Sequence, residues 1–396
     1  MRTKNADLVK RSQELHSSLV KWRRDFHQHP ELSFQEQRTS RKVEEILREA
    51  GIEDIETNVG GYGLIATISN GPGAVIGVRA DMDALPIEEE TGFTWASRNP
   101  GVMHACGHDA HTAILLGVAH LLIEDAKANR FQGTVKLVFQ PAEEKCDEQG
   151  ETGAVKMLSS NKLEELDSIL ALHMCPWRKR GEVQIHDGPS MANNDEFHIT
   201  IKGDGGHAGY PHQTVDPVWI STFVLQNLYS LNGRKVDPLD VGTISIGKIQ
   251  AGEANNIIPH EVEIRGTMRS YSNEVRYMLI HEINRIPSLV ASLGGECDLV
   301  VQKGEPALYN APEINAVFRK AAYPMTIYNE PFGMGSEDFS HYTQKIPGAM
   351  FFLGCATEKV TNLHQSDFNI DEAAMCDGVS VLTESTYELL KQGGIR

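Results

Sequence analysis

The stretch AVIGVRADMDALP, residues 74–86, joins an apolar run to a cluster of charged side chains. Val75–Val78 is short, apolar and rich in β-branched residues, which predicts a buried strand. Arg79, Asp81 and Asp83 follow this run at once. A buried strand that ends in carboxylates is typical of an α/β sheet, in which ligands gather where the strands end.

Three further apolar runs are followed by side chains that can bind a metal or transfer a proton. The runs are Val135–Phe139, Ser168–Leu172 and Ala349–Leu353, and the side chains are Glu143 with Glu144, His173, and His364. Ligands of open α/β sheets bind at the carboxyl ends of the strands, so we expect these side chains to meet at one edge. Of two adjacent glutamates, one can bind a metal while the other handles a proton.

The segment HACGHDAH, residues 104–111, adds a thiol and several imidazoles. Gly107 suits a tight turn, and the periodic stretch Thr112–Ile123 predicts a helix. Cys106 and His108 are therefore expected in the loop that enters this helix. Thiolate, imidazole and carboxylate ligands together suit Zn²⁺ or a neighbouring transition metal, and not Mg²⁺ or Ca²⁺.

Other polar residues near these segments are interpreted as supporting groups. His104 and His111 flank the candidate ligands and are expected to support them, and Asp109 is expected to accept a hydrogen bond from a ligand imidazole. His27 lies at the end of an N-terminal helix, away from the strand ends, and is expected to be structural.

The hydrophobic pattern changes along the chain. Before about residue 190 and after about residue 306, strands alternate with helical segments, which predicts α/β with a mixed, mostly parallel sheet. Between them the order is β-α-β-β-α-β, with one long helix over Asn273–Leu293, which is typical of a ferredoxin-like α+β domain. We predict a discontinuous metal-binding catalytic domain, 1–191 plus 306–396, with an inserted lid or dimerisation domain, 192–305.

The composition excludes several classes of protein. The 396 residues are 40% hydrophobic and 23% charged, as in globular proteins. A net charge of −17 argues against nucleic acid and anionic membranes as partners. No stretch approaches the roughly 20 apolar residues of a membrane span. Six scattered cysteines are typical of reduced thiols, so we expect a cytoplasmic protein.

Six motifs occur in an order that resembles the M20 metallopeptidase family. They are RADMDALP (79–86), HACGHDAHT (104–112), QPAEE (140–144), GGHAGYPH (205–212), NIIP (256–259) and MGSEDF (334–339). Together they are similar to the subgroup of N-acyl-amino-acid amidohydrolases, which includes hippurate hydrolases and aminoacylases. The resemblance runs from His27 to His364.

The resemblance implies two divalent metal ions, with zinc favoured and manganese, cobalt or nickel as alternatives. The matching ligand positions are Cys106, His108, Glu144, His173 and His364. The matching catalytic positions are Glu143 as general base, Asp83 as an acid that supports the ligands, and His207 on the lid, which reaches the scissile carbonyl. The matching substrate-binding positions are Asn256, Arg269 and Gly335. Asp81 stands where other branches of the family carry a ligand histidine, so its role is left open.

The implied activity is a metal-dependent hydrolase that cleaves N-acetyl or N-benzoyl amino acids to a carboxylic acid and a free amino acid. Metal-activated water would attack the amide, with Glu143 as general base. Alternatives are a dipeptidase, an N-acetyl-diaminopimelate deacetylase, or a catalytically idle metal-binding relative. A homodimer or homotetramer through the lid is a further expectation. The charged segment Lys145–Gly150 and the bulky Tyr210 depart from the family pattern and leave the substrate preference open.

Overall fold

The computed structural model describes residues 2–395, with side chains from residue 6 onwards. In chain order the helices are α1 Arg2–Glu14, α2 His16–Gln28, α3 Gln37–Glu49, α4 His108–Lys127, α5 Gly153–Ser159, α6 Pro217–Arg234, α7 Asn273–Ile283, α8 Ile286–Ser292, α9 Pro312–Ala321, α10 Phe339–Thr343 and α11 Ala374–Gln392. The strands are β1 Ile55–Val59, β2 Gly63–Asn70, β3 Val75–Asp81, β4 Gly133–Gln140, β5 Ser168–Lys179, β6 Glu182–Gln184, β7 Gly188–Met191, β8 Asp195–Lys202, β9 Gly206–His207, β10 Gly242–Ala251, β11 Ile257–Ile258, β12 Glu261–Ser270, β13 Glu296–Lys303, β14 Leu308–Asn310, β15 Thr326–Tyr328 and β16 Gly348–Ala356.

The chain folds into two compact units. The larger unit runs to Gly188 and resumes over Tyr309–Phe332 and from Asp338 onwards. The smaller unit comprises Pro189–Leu308 and Gly333–Glu337. That the smaller unit serves as a lid stays a prediction. Within residues 2–395, no helix combines the length and apolar character needed to cross a membrane.

The larger unit is built on an eight-stranded mixed sheet in the order β1-β2-β4-β3-β5-β16-β6-β15. The central pairs β4/β3, β3/β5 and β5/β16 are parallel, and so is the edge pair β6/β15. The central strands are buried on both faces, which explains why they read as continuous apolar runs. The predicted α/β fold with a mixed, mostly parallel sheet is confirmed.

The parallel register brings the strand ends that carry polar residues to one edge. Asp81 at the end of β3 pairs with Gln140 at the end of β4. His173 in β5 pairs with Phe352 in β16. The segments that follow β3 and β4 therefore emerge beside His173.

The smaller unit contains a four-stranded antiparallel sheet in the order β10-β12-β8-β13. Helices α6, α7 and α8 contribute apolar side chains to its core together with the sheet. The predicted single helix over Asn273–Leu293 is wrong, because α7 ends at Ile283 and α8 begins at Ile286. Pro287 lies in the first turn of α8 and has no N–H for the hydrogen bond that a continuous helix would need.

Candidate active site

The predicted metal ligands meet at the carboxyl edge of the large sheet. Cys106 Sγ lies 3.4 Å from His173 Nε2. Glu144 Oε1 lies 3.8 Å from His108 Nε2 and 3.5 Å from His364 Nε2. Of the groups of possible ligand atoms that lie within 4.8 Å of one another, three consist only of predicted ligands and the predicted base: Cys106, His108 and His173; Cys106, Glu144 and His364; His108, Glu143 and Glu144. The structure thus brings together all five predicted ligands and the predicted general base.

Two residues of the ligand segments, Gly107 and His364, have left-handed backbone conformations. Gly107 has φ +95°, which glycine adopts without strain, and α4 begins directly after it. His108 is therefore the first residue of the helix and not, as predicted, a residue of the loop before it. His364 has φ +61°, and its N–H donates to Ala105 O at 2.8 Å. This hydrogen bond ties the His364 loop to the cysteine-bearing segment.

Asp83 contacts two of the predicted ligands. Its Oδ1 lies 3.2 Å from His108 Nδ1. Its Oδ2 accepts the N–H of Glu144 at 3.0 Å and the hydroxyl of Ser33 at 2.7 Å. With Nδ1 held by Asp83, Nε2 is the nitrogen of His108 that is directed toward the other ligands. Asp83 thus contacts both His108 and Glu144, and its role as a support for the ligands stays a prediction.

Replacing Asp83 with asparagine is expected to weaken metal binding by about 10–100-fold, the usual effect of removing a group that orients a ligand. An amide opposite His108 Nδ1 cannot stabilise the imidazole as a carboxylate does. Calorimetric titration of the metal-free protein with Zn²⁺ or Mn²⁺ measures the change. Asp298→Asn, at an exposed ion pair, is the matched control. Equal affinities of the D83N variant and the control would contradict this role.

The partners of Asp81 define its role. Its Oδ1 lies 2.6 Å from His111 Nδ1, and its Oδ2 accepts from Arg79 Nη1 at 2.6 Å. The other nitrogen of His111, Nε2, accepts the N–H of Met174 at 2.9 Å. Donor atoms of Asp81, His108 and His111 also lie within 4.8 Å of one another. Because both nitrogens of His111 are already hydrogen-bonded, we interpret Asp81 and His111 as a support for the strand that carries His173.

Negative charge accumulates in the buried site. Burial lowers the pKa of His108, but neighbouring carboxylates, Asp81 first, outweigh it and raise this pKa to about 10. Burial, reinforced by the charges of Glu144 and Glu143, raises the pKa of the Cys106 thiol well above its usual value. Within the side chains that the structure describes, His108 Nε2 and Glu144 Oε1 are buried without a hydrogen-bond partner. Surplus carboxylates beside an unpartnered imidazole nitrogen, an unpartnered carboxylate oxygen and a buried thiol fit divalent cations, and the thiol must lose its proton when a metal binds.

Asp109, next to His108, has partners other than the predicted ligand imidazole. Its Oδ2 accepts from Arg23 Nε at 3.0 Å and lies 2.8 Å from His27 Nδ1. All three side chains are fully buried. The sequence carried one signal of this network, since Arg23 and His27 lie one helical turn apart on α2 and so face the same way.

The remaining predicted site residues lie in the smaller unit. His207 is in β9 and pairs with Ile257 in β11, and the N–H of Ala208 donates to Asn256 O at 3.0 Å. These contacts place His207 beside Asn256. Arg269 in β12 donates to the side-chain oxygen of Asn194. Gly335 O accepts the N–H of Ala192 at 3.0 Å. The roles of these four residues toward a substrate stay predictions.

Comparisons with known proteins show similarity to one family of peptidases. A family model described as Peptidase family M20/M25/M40 matches residues 77–388. N-acetylcysteine deacetylase of Bacillus subtilis is 37% identical over 365 residues, 91% of this chain and 93% of that protein. Thermostable carboxypeptidase 1 of Saccharolobus solfataricus is 37% identical over 368 residues, 91% of this chain and 92% of that protein. The crystal structure of the Bacillus subtilis YXEP protein, a dinuclear metal-binding peptidase from the M20 family, matches with a TM-score of 0.83 at 32% identity, over 96% of this chain and 99% of that one.

Proposed function

Because the chain belongs to the M20/M25/M40 peptidase family and is a hydrolase of amide bonds, we propose that it cleaves N-acetyl or N-benzoyl amino acids. The products are a carboxylic acid and a free amino acid. The family match confirms the resemblance that the six motifs carry. The similarity to N-acetylcysteine deacetylase supports an N-acyl amino acid as the substrate.

One observation carries the proposal: a carboxylate that is not needed as a ligand lies among the ligands. Donor atoms of Glu143 lie within 4.8 Å of those of His108 and Glu144. A general base must be within hydrogen-bond reach of the water that it activates, or one water away from it. The short distance from Glu143 to these side chains supports Glu143 as that base, while Glu144 lies 3.5 Å from His364.

The reaction needs a proton acceptor that later becomes a proton donor. Bound to these ligands, two divalent ions would supply a water whose pKa falls from 15.7 to about 7 and would polarise the acyl carbonyl. Glu143 would take a proton from the attacking water and return it to the leaving amine. Asp83 would keep His108 and Glu144 oriented throughout. The thiolate of Cys106 favours zinc, with manganese, cobalt and nickel as alternatives.

The predicted residues of the smaller unit would bind the substrate. His207 would donate a hydrogen bond to the oxyanion that develops on the acyl carbonyl. Arg269 would pair with the free carboxylate of the amino acid. Asn256 and Gly335 would line the same pocket. A local cationic group of this kind allows a chain with a net charge of −17 to bind an anionic substrate.

A panel of substrates tests the proposal. The protein would be loaded in turn with Zn²⁺, Mn²⁺, Co²⁺ or Ni²⁺ and assayed for release of free amine. The panel would contain N-acetyl and N-benzoyl amino acids, dipeptides and N-acetyl-diaminopimelate. We expect kcat/KM to be highest for an N-acyl amino acid. Hydrolysis of no substrate in any metal form would contradict the proposal. Faster cleavage of dipeptides would favour the second candidate, a peptidase, which the similarity to a carboxypeptidase supports.

We also propose that the chain associates through its smaller unit. Trp219, Phe223 and Tyr229 on α6 are exposed although they are large and apolar. The rings of Trp219 and Phe223 contact each other, with centroids 5.1 Å apart, and exposed apolar clusters mark association surfaces. Light scattering is expected to give the mass of two or four chains, and Trp219→Asp is expected to shift that mass toward one chain. A single-chain mass for the wild type would contradict this proposal.

A further inference from the structure

A tight turn at Ser33–Glu36, just before α3, lies outside the six sequence motifs. The N–H of Gln35 donates to Leu32 O at 2.9 Å, and Phe34 has φ +63°. The N–H of Phe34 donates to Glu36 Oε1 at 3.0 Å. The Glu36 side chain is fully buried. The turn therefore folds back on a carboxyl group that lies inside the larger unit.

The same carboxyl group holds the turn that carries the two site glutamates. Glu36 Oε1 accepts the N–H of Ala142 at 2.8 Å. Ala142 has φ +49°, a left-handed conformation that is uncommon for a residue with a Cβ. Its carbonyl accepts the N–H of Gly153 at 2.8 Å, and a Cβ at Gly153 would lie 1.6 Å from Pro141 O. The strained residue is thus fixed on both sides, by Glu36 at its amide and by Gly153 at its carbonyl.

A second contact runs from the same segment to the site. Ser33 Oγ donates to Asp83 Oδ2 at 2.7 Å, and the same oxygen accepts the N–H of Glu144 at 3.0 Å. The turn therefore restrains Ala142 directly and Glu144 through Asp83. These two residues flank Glu143 in the chain. Fixing both of them limits the directions in which the carboxylate of Glu143 can point.

We propose that Glu36 is a positioning residue for the reaction and that it holds the turn at residues 142–144 so that Glu143 and Glu144 meet the other site groups. This inference rests on the proposed function, since it takes Glu143 as the base and Glu144 as a metal ligand. Glu36 acts through the amide of Ala142 and touches neither a ligand atom nor the substrate. Removing a group that orients a ligand commonly costs about 10–100-fold in activity or metal affinity.

The role of Glu36 requires a hydrogen-bond acceptor and not a negative charge. Its Oε2 has no hydrogen-bond partner. Burial, with a contribution from the charge of Asp83, raises the pKa of Glu36 to about 8. A neutral amide of the same shape can therefore take its place, whereas an apolar side chain of the same size cannot.

Two variants of matched size distinguish the loss of the hydrogen-bond acceptor from the loss of the negative charge alone. E36Q keeps an acceptor for the amide of Ala142, and E36M does not. Q35A, at an exposed neighbour in the same turn, is the control. Each protein would be characterised by its melting temperature, by its metal content, and by kcat and KM for an N-acetyl amino acid that the wild type hydrolyses. Hydrogen exchange of the peptide that spans residues 141–153 gives a readout that needs no substrate.

For folded E36M we expect kcat to fall by about 10–100-fold with little change in KM, because the base is misplaced while the binding groups are intact. Exchange at residues 141–153 should accelerate in the same variant. E36Q and Q35A should keep most of the wild-type kcat and the slow exchange. Partial rescue by glutamine distinguishes positioning from simple packing, which methionine would also supply.

Two results would overturn the inference. One is a folded E36M with wild-type kcat and wild-type exchange, and the other is an equal loss of kcat in E36Q and E36M. If the wild type hydrolysed nothing in the panel, the proposed function would fail, and the exchange comparison would still decide whether Glu36 fixes the turn. If E36M did not fold, S33A would take its place, because Ser33 is only half-buried. S33A should lower kcat and metal affinity through Asp83, and wild-type values would contradict the role of the turn.

Discussion

Replacing Glu143 with glutamine is expected to lower kcat by about 10²–10⁴-fold, the range that a positioned general base contributes. The amide of glutamine has nearly the same shape as the carboxylate but cannot accept a proton from water. The five ligand side chains are unchanged, so the metal content of the E143Q variant should equal that of the wild type. Steady-state rates on the best N-acyl amino acid, with elemental analysis of the same sample, measure both quantities.

Two further glutamates serve as controls for this result. Glu148→Gln, at an exposed position a few residues along the same loop, should leave kcat and metal content unchanged. Glu144→Gln should lower both, because Glu144 lies between the imidazoles of His108 and His364. If the E143Q variant kept more than about a tenth of the wild-type kcat, Glu143 could not be the general base. Loss of metal from E143Q would instead make Glu143 a ligand.

The sequence alone predicts best those site residues that lie in a buried strand or directly after one. Glu143 and Glu144 follow β4 after a short turn, and His173 lies within β5. A buried strand is recognisable from its apolar run, and the parallel register fixes which of its ends shares an edge with its neighbours. Local pattern and topology therefore suffice to place these side chains together.

The supporting contacts were not predictable in this way. Glu36 reaches Ala142 across 106 positions of the chain, and His27 reaches Asp109 across 82. Both contacts depend on how helices and turns pack against the sheet. The helical spacing of Arg23 and His27 indicates that they share a face of α2, but no pattern in the sequence indicates which residue that face meets. The same limit explains the wrong partner for Asp109. The prediction for Asp109 is a hydrogen bond from a ligand imidazole, but the packing of α2 brings Arg23 and His27 to it instead.

Replacing Asp109 with asparagine is expected to lower the free energy of unfolding by about 3–5 kcal/mol, the usual cost of removing one partner of a buried ion pair. Arg23 and Asp109 are both fully buried, with Arg23 Nε 3.0 Å from Asp109 Oδ2. In the D109N variant the guanidinium stays buried and keeps its contact with Glu372, at 3.0 Å, and its position 4.8 Å from the centre of the Trp95 ring, but loses its fully buried carboxylate partner. The imidazole of His27 also loses the carboxylate that stabilises its charged form.

The pKa shifts of Asp109 and His27 determine how the destabilisation of D109N depends on pH. Burial raises the pKa of Asp109, but the charge of Arg23 and the hydrogen bond from His27 outweigh it and lower this pKa below the ordinary 3.8. The stabilisation that Asp109 contributes to folding is therefore complete above the ordinary pKa of 3.8. It is lost as the pH falls through the lower pKa that Asp109 has in the folded protein. Burial lowers the pKa of His27, but Asp109 and Glu89 raise it above the ordinary 6.5. The stabilisation that His27 contributes to folding is complete below the ordinary pKa of 6.5. It is lost as the pH rises through the raised pKa of His27 in the folded protein.

The difference in unfolding free energy between wild type and D109N should therefore be largest between about pH 4 and pH 6.5 and should shrink on both sides. Urea titrations of the metal-free proteins across this range measure it, since the absence of metal removes the linkage between binding and folding. Glu45→Gln, at an exposed pair with Lys42 on α3, is the control that should leave the unfolding midpoint unchanged. A difference that stays constant from acid to alkaline pH would show that D109N acts by packing alone. The buried charges of α2 would then contribute nothing specific to the stability of the larger unit.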